Sequence, residues 1–168
     1  MIPATNSYSV ALALAVLTYV WNWNGCNMNQ ITDDGRLWVG NIAAAWDKGV
    51  LQDNGITHVV SVTQFGTAAV FHPNDFVYHV IDIQDVPESN IQQHLESAVA
   101  FIADSMKTGR VLVHCNQGRS RSVTVAAAYL ARHKQMDTVP AIEFVRARRP
   151  EACPNPGFIR QLHQFCNP

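Results

Sequence analysis

The stretch VLVHCNQGRSRS, residues 111–122, places a thiol and a guanidinium where together they could handle an oxyanion. Cys115 ends an apolar run of strand-like composition, and Arg121 stands six residues later, where a helical pattern begins. Between them, Gly118 allows a sharp turn through a left-handed conformation. The backbone N–H groups of such a turn, with the positive end of the helix dipole, form a nest for a tetrahedral anion. The ligand that fits is phosphate.

The same positive field predicts that Cys115 is a nucleophile. An electropositive environment lowers the pKa of a thiol, so Cys115 would lie as a thiolate beneath the bound phosphate. Arg121 can hold two phosphate oxygens with its planar fork of N–H groups. The conjunction of His, Cys, Gly, Arg and Ser at these spacings arises by chance in about one of 30,000 chains with four cysteines. A coincidental match is therefore a poor explanation.

Cleavage of a phosphoester also requires a proton donor for the departing oxygen. The segment YHVIDIQDVPES, residues 78–89, offers two carboxylates. Asp82 falls within a strand pattern, which favours a structural or rim position. Asp85 is followed by Val-Pro, which suits an ordered loop. Both residues are candidates on the sequence pattern alone.

The elements that must position these residues alternate between strands and helices. Strand patterns cover residues 36–40, 57–63, 76–82 and 110–115, and helical patterns cover 89–107, 119–134, 138–149 and 156–166. Ser89 and Gln92 have capping-box spacing, and Asp137 and Asn155 are expected to cap the last two helices. This alternation predicts an α/β fold whose central, mostly parallel sheet of about five strands has helices on both faces. The phosphate-binding loop would then join a strand to a helix N-terminus.

Residues 1–30 form an uncharged, apolar extension, followed by a catalytic domain over residues 31–168. Residues 8–23 predict a helix of sixteen residues, about 24 Å long, which is short for a hydrocarbon layer of roughly 30 Å. We expect it to pack on its own domain or on a second copy of the chain. Membrane contact through residues 8–23 and a signal sequence are the alternatives.

Charge and composition limit the partners and the compartment. Residues 1–100 hold two Lys/Arg and nine Asp/Glu, whereas residues 101–168 hold ten and four, so the half that contains the loop is basic. The sequence shows no basic tail and no run of interleaved basic and aromatic residues, so a nucleic-acid partner is not expected. Four cysteines are too few for a disulfide framework, which favours a reducing, cytoplasmic location. The cysteines and histidines have no metal-ligand spacing, so no metal or other cofactor is expected.

The segment HCNQGRSRS resembles the signature of cysteine-based protein phosphatases, and its surroundings resemble the small dual-specificity branch of that superfamily. The resemblance extends from Ile31 to Phe165, and it includes GRLWVGNIAAAWD (35–47), GITHVVSVT (55–63), AAAYLA (126–131) and RARRPEACPNPGFIRQL (146–162). In this branch the acid follows a strand pattern of the form found at Tyr78 and Ile81. Aligning that pattern assigns the acid to Asp85.

The resemblance implies a two-step reaction through a phosphocysteine, without a metal. Cys115 would attack phosphorus, Asp85 would protonate the leaving oxygen, and the Ser122 hydroxyl would hydrogen-bond the departing thiolate. His114 would orient the loop and Asn155 would brace it. The implied phosphate-binding loop consists of Cys115, Asn116, Gln117, Gly118, Arg119, Ser120 and Arg121.

The implied substrates are proteins that carry phosphotyrosine, phosphoserine or phosphothreonine. The cationic side chain of Arg119 is unusual for protein-directed members, which keeps open a phosphoinositide or another non-protein phosphate as substrate. An alternative of a different class is a catalytically silent module that uses the same nest to bind a phosphorylated partner.

Overall fold

A computed structural model describes residues 25–167, and within them a five-stranded sheet forms the centre of the molecule. In chain order the strands are β1 (Met28–Gln30), β2 (Leu37–Gly40), β3 (His58–Thr63), β4 (Val77–Asp82) and β5 (Val111–His114). Their order in the sheet is β1-β2-β5-β3-β4. Strand β1 pairs antiparallel with β2, and the other neighbours are parallel. The predicted mostly parallel α/β fold is confirmed.

Helices cover both faces of this sheet. They are α1 (Ile42–Trp46), α2 (Lys48–Asp53), α3 (Gln92–Ser105), α4 (Arg121–Lys134), α5 (Thr138–Arg146) and α6 (Pro156–Cys166), with a 3₁₀ turn at Gly66–Ala69. The larger apolar core contains alternate strand residues such as Val60 and Val113 together with the inner faces of α3 to α6. The smaller core, on the opposite face, joins Val59 and Leu112 to residues of α1 and α2.

Several local features differ from the sequence-based expectations. Strand β1 and the short helices α1 and α2 were not predicted. The Ser89–Gln92 capping box does not form, because the Gln92 N–H donates to the Gln161 side chain at 3.0 Å. Asp137 precedes α5 but makes no side-chain cap hydrogen bond. Asn155 does cap α6, since its side chain accepts from the Phe158 N–H at 2.9 Å.

The predicted helix over residues 8–23 lies outside the described residues. Strand β1 falls inside the segment assigned to the N-terminal extension, so the sheet begins before residue 31. The proposed domain boundary itself stays a prediction. Among residues 25–167, none of the helices combines the length and apolar character that a membrane span requires.

Candidate active site

The loop between β5 and α4 wraps around the sulfur of Cys115. Gly118 has φ 69°, the predicted left-handed conformation, and its N–H donates to Cys115 Sγ at 3.2 Å. Ser122, in the first turn of α4, has its Oγ 3.2 Å from the same sulfur. Cys115 itself is buried at the base of the loop, with only 1% of its surface exposed. The strand, the loop and the helix therefore all present polar groups to one sulfur atom.

These contacts determine the ionisation of the thiol. Burial by itself raises the pKa of Cys115, because it disfavours the charged thiolate. The positive charge of Arg121 and the hydrogen bonds from Ser122 and the Gly118 N–H act in the opposite direction and prevail. The pKa of Cys115 is therefore lowered from the ordinary value of 9.0. A larger fraction of thiolate at neutral pH follows.

The carboxylate of Asp85 is held against this loop by three side chains. Its Oδ1 accepts from Ser120 Oγ at 2.7 Å and from Asn155 Nδ2 at 2.8 Å. Its Oδ2 lies 3.6 Å from Arg121 Nε. The Asn155 N–H also donates to Ser120 Oγ at 3.1 Å, which joins the start of α6 to the loop. Asp85 lies three residues beyond the end of β4. Its carboxylate is therefore held at the site by hydrogen bonds that the sequence did not predict.

A cavity of about 420 Å³ opens above the sulfur. Asp82, the other candidate acid, is the last residue of β4 and is not one of the lining residues. The cavity therefore contains Asp85 and excludes its rival. The lining residues are Gln64, Asp85, Cys115, Asn116, Gln117, Arg119, Ser120, Arg121, Cys153 and Asn155.

His114 is buried directly beneath the loop. Its ring nitrogens have no hydrogen-bond partner within residues 25–167, and Phe71 lies against the ring with the centroids 6.4 Å apart. Burial lowers the pKa of His114 from 6.5 to about 4, so the ring is neutral at physiological pH. The resemblance implied that His114 orients the loop through hydrogen bonds, and this role stays a prediction because neither ring nitrogen has a partner among the described residues. The neutral ring is a poor proton donor.

The loop conformation requires glycine at position 118, which leads to a testable prediction. A Cβ on Gly118 would lie 2.5 Å from the Gly40 carbonyl oxygen and 2.5 Å from Arg149 Nη2, in addition to the strain of φ 69°. We expect Gly118→Ala to reduce kcat/KM for an aryl phosphate by at least about 10²-fold, because the loop amides must move. The matched change Gly49→Ala, in α2, should leave the rate near that of the parent. Full activity of Gly118→Ala would show that the amide positions do not matter.

Comparison with known proteins identifies this arrangement. The sequence profile of the dual specificity phosphatase catalytic domain matches residues 37–167. The chain belongs to the dual-specificity phosphatase family. It is a cysteine-dependent protein phosphatase of the protein tyrosine phosphatase superfamily, as the resemblance implied.

Individual relatives agree with this assignment. Dual specificity protein phosphatase 1 of Arabidopsis thaliana is 40% identical over 140 residues, which cover 83% of this chain and 69% of the relative. MAP kinase phosphatase with leucine-rich repeats protein 3 of Dictyostelium discoideum is 38% identical over 130 residues, 77% of this chain but 15% of that protein. The crystal structure of human tyrosine phosphatase-like serine/threonine/tyrosine-interacting protein has a TM-score of 0.76 at 35% identity, covering 82% of this chain and 94% of the other.

Three residues around the site of this phosphatase were not predicted from its sequence. Gln64 and Cys153 line the cavity, although neither belongs to the loop motif. Arg149 has no exposed surface and lies against the outer side of the loop. Within residues 25–167, His, Cys, Asp and Glu side chains form no group of three that could bind a metal ion.

Proposed function

We propose that this phosphatase hydrolyses phosphotyrosine and phosphoserine or phosphothreonine in proteins through a phosphocysteine at Cys115. The observation that carries the proposal is the position of Cys115 Sγ, 3.2 Å from both the Gly118 N–H and Ser122 Oγ, in a cavity that Asp85 and Arg121 also line. A nucleophile, a proton donor and an oxyanion cradle therefore share one space.

In the first step, the Cys115 thiolate attacks phosphorus and the bond to the ester oxygen breaks. Arg121 and the N–H groups of the loop stabilise the equatorial oxygens, where negative charge accumulates in the transition state. Asp85 delivers its proton to the departing oxygen, so the products are an alcohol or phenol and the phosphocysteine.

In the second step, water replaces the sulfur. The Asp85 carboxylate accepts a proton from the water as its oxygen attacks phosphorus, and the S–P bond breaks. The electron pair returns to sulfur as a thiolate, which Ser122 Oγ stabilises by a hydrogen bond. Inorganic phosphate leaves, and Asp85 is protonated again for the next cycle.

Ser122→Ala separates these two steps, since it removes the hydrogen bond to the leaving thiolate. We expect the second step to slow by roughly 10-fold, the effect of one hydrogen bond to a charged group. A rapid burst of p-nitrophenol followed by a slower steady rate should appear in stopped-flow measurements. Ser122→Thr, which retains the hydroxyl, is the control. An equal loss in both phases of Ser122→Ala would contradict this role.

The substrate class is proposed on the chemistry of the rim as well as on the relatives. The Dictyostelium relative is named as a MAP kinase phosphatase, which favours phosphorylated kinases among the protein substrates. Arg119 is exposed, and its Nε donates to the Glu151 carbonyl oxygen at 3.2 Å. This anchors its guanidinium at the rim, where it can contact an acidic or second phosphorylated residue of the substrate.

A substrate panel tests the proposal. Phosphotyrosine, phosphothreonine and doubly phosphorylated peptides should be hydrolysed with a higher kcat/KM than soluble phosphoinositides. A reversed order would support the phosphoinositide alternative, and Arg119→Gln should then reduce lipid hydrolysis selectively. Failure to turn over even p-nitrophenyl phosphate, while binding vanadate, would support the silent phosphate-binding module.

We further propose a cytoplasmic location, which the free state of all four cysteines favours.

Association through residues 8–23, with a second copy or with a membrane, is likewise a proposal that their apolar sequence supports. Sedimentation of the full chain with and without vesicles distinguishes these two partners. A full chain that sediments as a monomer and does not bind vesicles would contradict both self-association and membrane contact.

A further inference from the structure

We propose that Arg149 is a positioning residue that aims two amides of the phosphate-binding loop inward, and that Asn27 and Asn29, next to and within β1, hold it in place. This inference rests on the proposed function of the loop. Arg149 follows the C-terminal end of α5 and contacts neither the cavity nor Cys115 directly. It acts through the loop backbone.

The contacts of Arg149 with the loop are with carbonyl groups. Its Nε donates to the Gly118 oxygen at 2.6 Å, and its Nη2 donates to the Gln117 oxygen at 3.3 Å. In a trans peptide the C=O and the following N–H point in opposite directions. Two carbonyls turned toward Arg149 therefore turn the N–H groups of Gly118 and Arg119 away from it, toward the sulfur and the phosphate site. The bond from the Gly118 N–H to Cys115 Sγ is the direct sign of this orientation.

The other side of the guanidinium is held by the N-terminal edge of the sheet. Arg149 Nη1 donates to Asn29 Oδ1 at 2.6 Å and to Asn27 Oδ1 at 2.9 Å. Glu151 lies 3.2 Å from Nη2 and also accepts from Asn27 Nδ2 at 2.9 Å. A fully buried guanidinium needs such a set of partners, because a buried charge without them is strongly destabilising. These contacts therefore hold the Arg149 guanidinium in one orientation.

Both asparagines precede residue 37, where the match to the family profile begins. Strand β1 thus contributes to the catalytic site although it lies outside the matched domain.

The experiment compares two adjacent arginines that receive the same substitution. Arg149→Lys keeps the charge but loses the fork that spans the loop and β1. Arg148→Lys is the control, since Arg148 pairs with Asp33 and packs on Phe144, away from the loop. The readouts are vanadate inhibition and the ratio of Cys115 alkylation rates with iodoacetate and iodoacetamide. This ratio reports the anion cradle in folded molecules, and a loss of stability alone would not change it.

For Arg149→Lys we expect a loss of about 10²-fold in kcat/KM and at least about tenfold weaker vanadate inhibition, with a lower alkylation ratio. Arg148→Lys should remain within about twofold of the parent. Folded Arg149→Lys with the parental alkylation ratio and vanadate inhibition would overturn the proposal, even if its Tm were lower.

If Arg149→Lys does not fold, Asn27→Ala and Asn29→Ala decide the question, because each removes one acceptor and leaves the loop sequence intact. We expect a lower alkylation ratio in each, and parental ratios in both would overturn the proposal. The alkylation ratio, unlike vanadate inhibition, can be measured without turnover. If the parent protein hydrolyses no phosphate ester, the proposed function is wrong. The role of Arg149 can still be tested in that case by the alkylation ratio.

Discussion

Cys115→Ser is expected to reduce the turnover of every phosphate ester by about 10⁴-fold or more while vanadate or phosphate binding persists. A serine hydroxyl is far less acidic than this thiol, whose pKa is lowered by Arg121 and by hydrogen bonds despite burial. The loop amides and Arg121 remain in the variant and still hold the anion. Steady-state kinetics with p-nitrophenyl phosphate and calorimetric titration with phosphate measure the two properties separately.

Cys26→Ser is the matched control, because Cys26 is an exposed free cysteine outside the cavity. It should retain the parental rate. Appreciable turnover by Cys115→Ser would exclude Cys115 as the nucleophile. Loss of both turnover and anion binding in a folded variant would mean that the sulfur maintains the cradle instead of attacking phosphorus.

Asp85→Asn is expected to slow the hydrolysis of esters with poor leaving groups by about 10²–10⁴-fold. An asparagine can still accept the hydrogen bonds from Ser120 and Asn155, but it has no proton to deliver. Esters whose leaving groups depart without protonation should be much less affected. The measurement is the slope of log(kcat/KM) against leaving-group pKa over a series of aryl phosphates, which should be steeper in the variant.

Asp82→Asn is the control for Asp85→Asn, since Asp82 ends β4 outside the cavity lining. Its slope should equal that of the parent. If Asp82→Asn steepens the slope and Asp85→Asn does not, the acid has been assigned to the wrong carboxylate. Equal slopes in all three proteins would indicate another proton donor, and His79 and Glu88 would be the next residues to test.

The sequence was informative wherever a local signal sets the structure. The left-handed turn at Gly118, the strand before Cys115 and the helix after it are encoded within twelve residues, so the loop could be predicted. The Asn155 cap is similar, because the side chain bonds to a backbone group three residues later. Buried parallel strands also have a clear composition, and β2 to β5 were predicted to within about a residue of their ends.

The missed features depend on contacts between distant parts of the chain. Strand β1 has the short sequence MNQ, which shows no alternation of apolar residues and forms a strand by pairing with β2. The run RARR at residues 146–149 looks like an exposed basic end of a helix. Only the packed structure shows that Arg146 and Arg148 pair with surface carboxylates while Arg149 is buried against the loop.

The general acid, Asp85, could be predicted only in part from the sequence. Local pattern offered Asp82 and Asp85, and the resemblance to the phosphatase family selected Asp85. Its connection to Ser120 spans 35 residues and its connection to Asn155 spans 70, so neither could be predicted from local sequence. Spacing could identify the candidate, but only the fold shows what holds its carboxylate.

The most direct test of the central claim is to trap the phosphocysteine. Parent enzyme and Ser122→Ala are mixed with excess p-nitrophenyl phosphate, quenched in acid during turnover and digested for mass spectrometry. The peptide that contains Cys115 should gain the mass of one phosphoryl group, with greater occupancy in Ser122→Ala and none in Cys115→Ser. Turnover without a phosphoryl group on Cys115 in either enzyme, or with the group on another residue, would contradict the central claim.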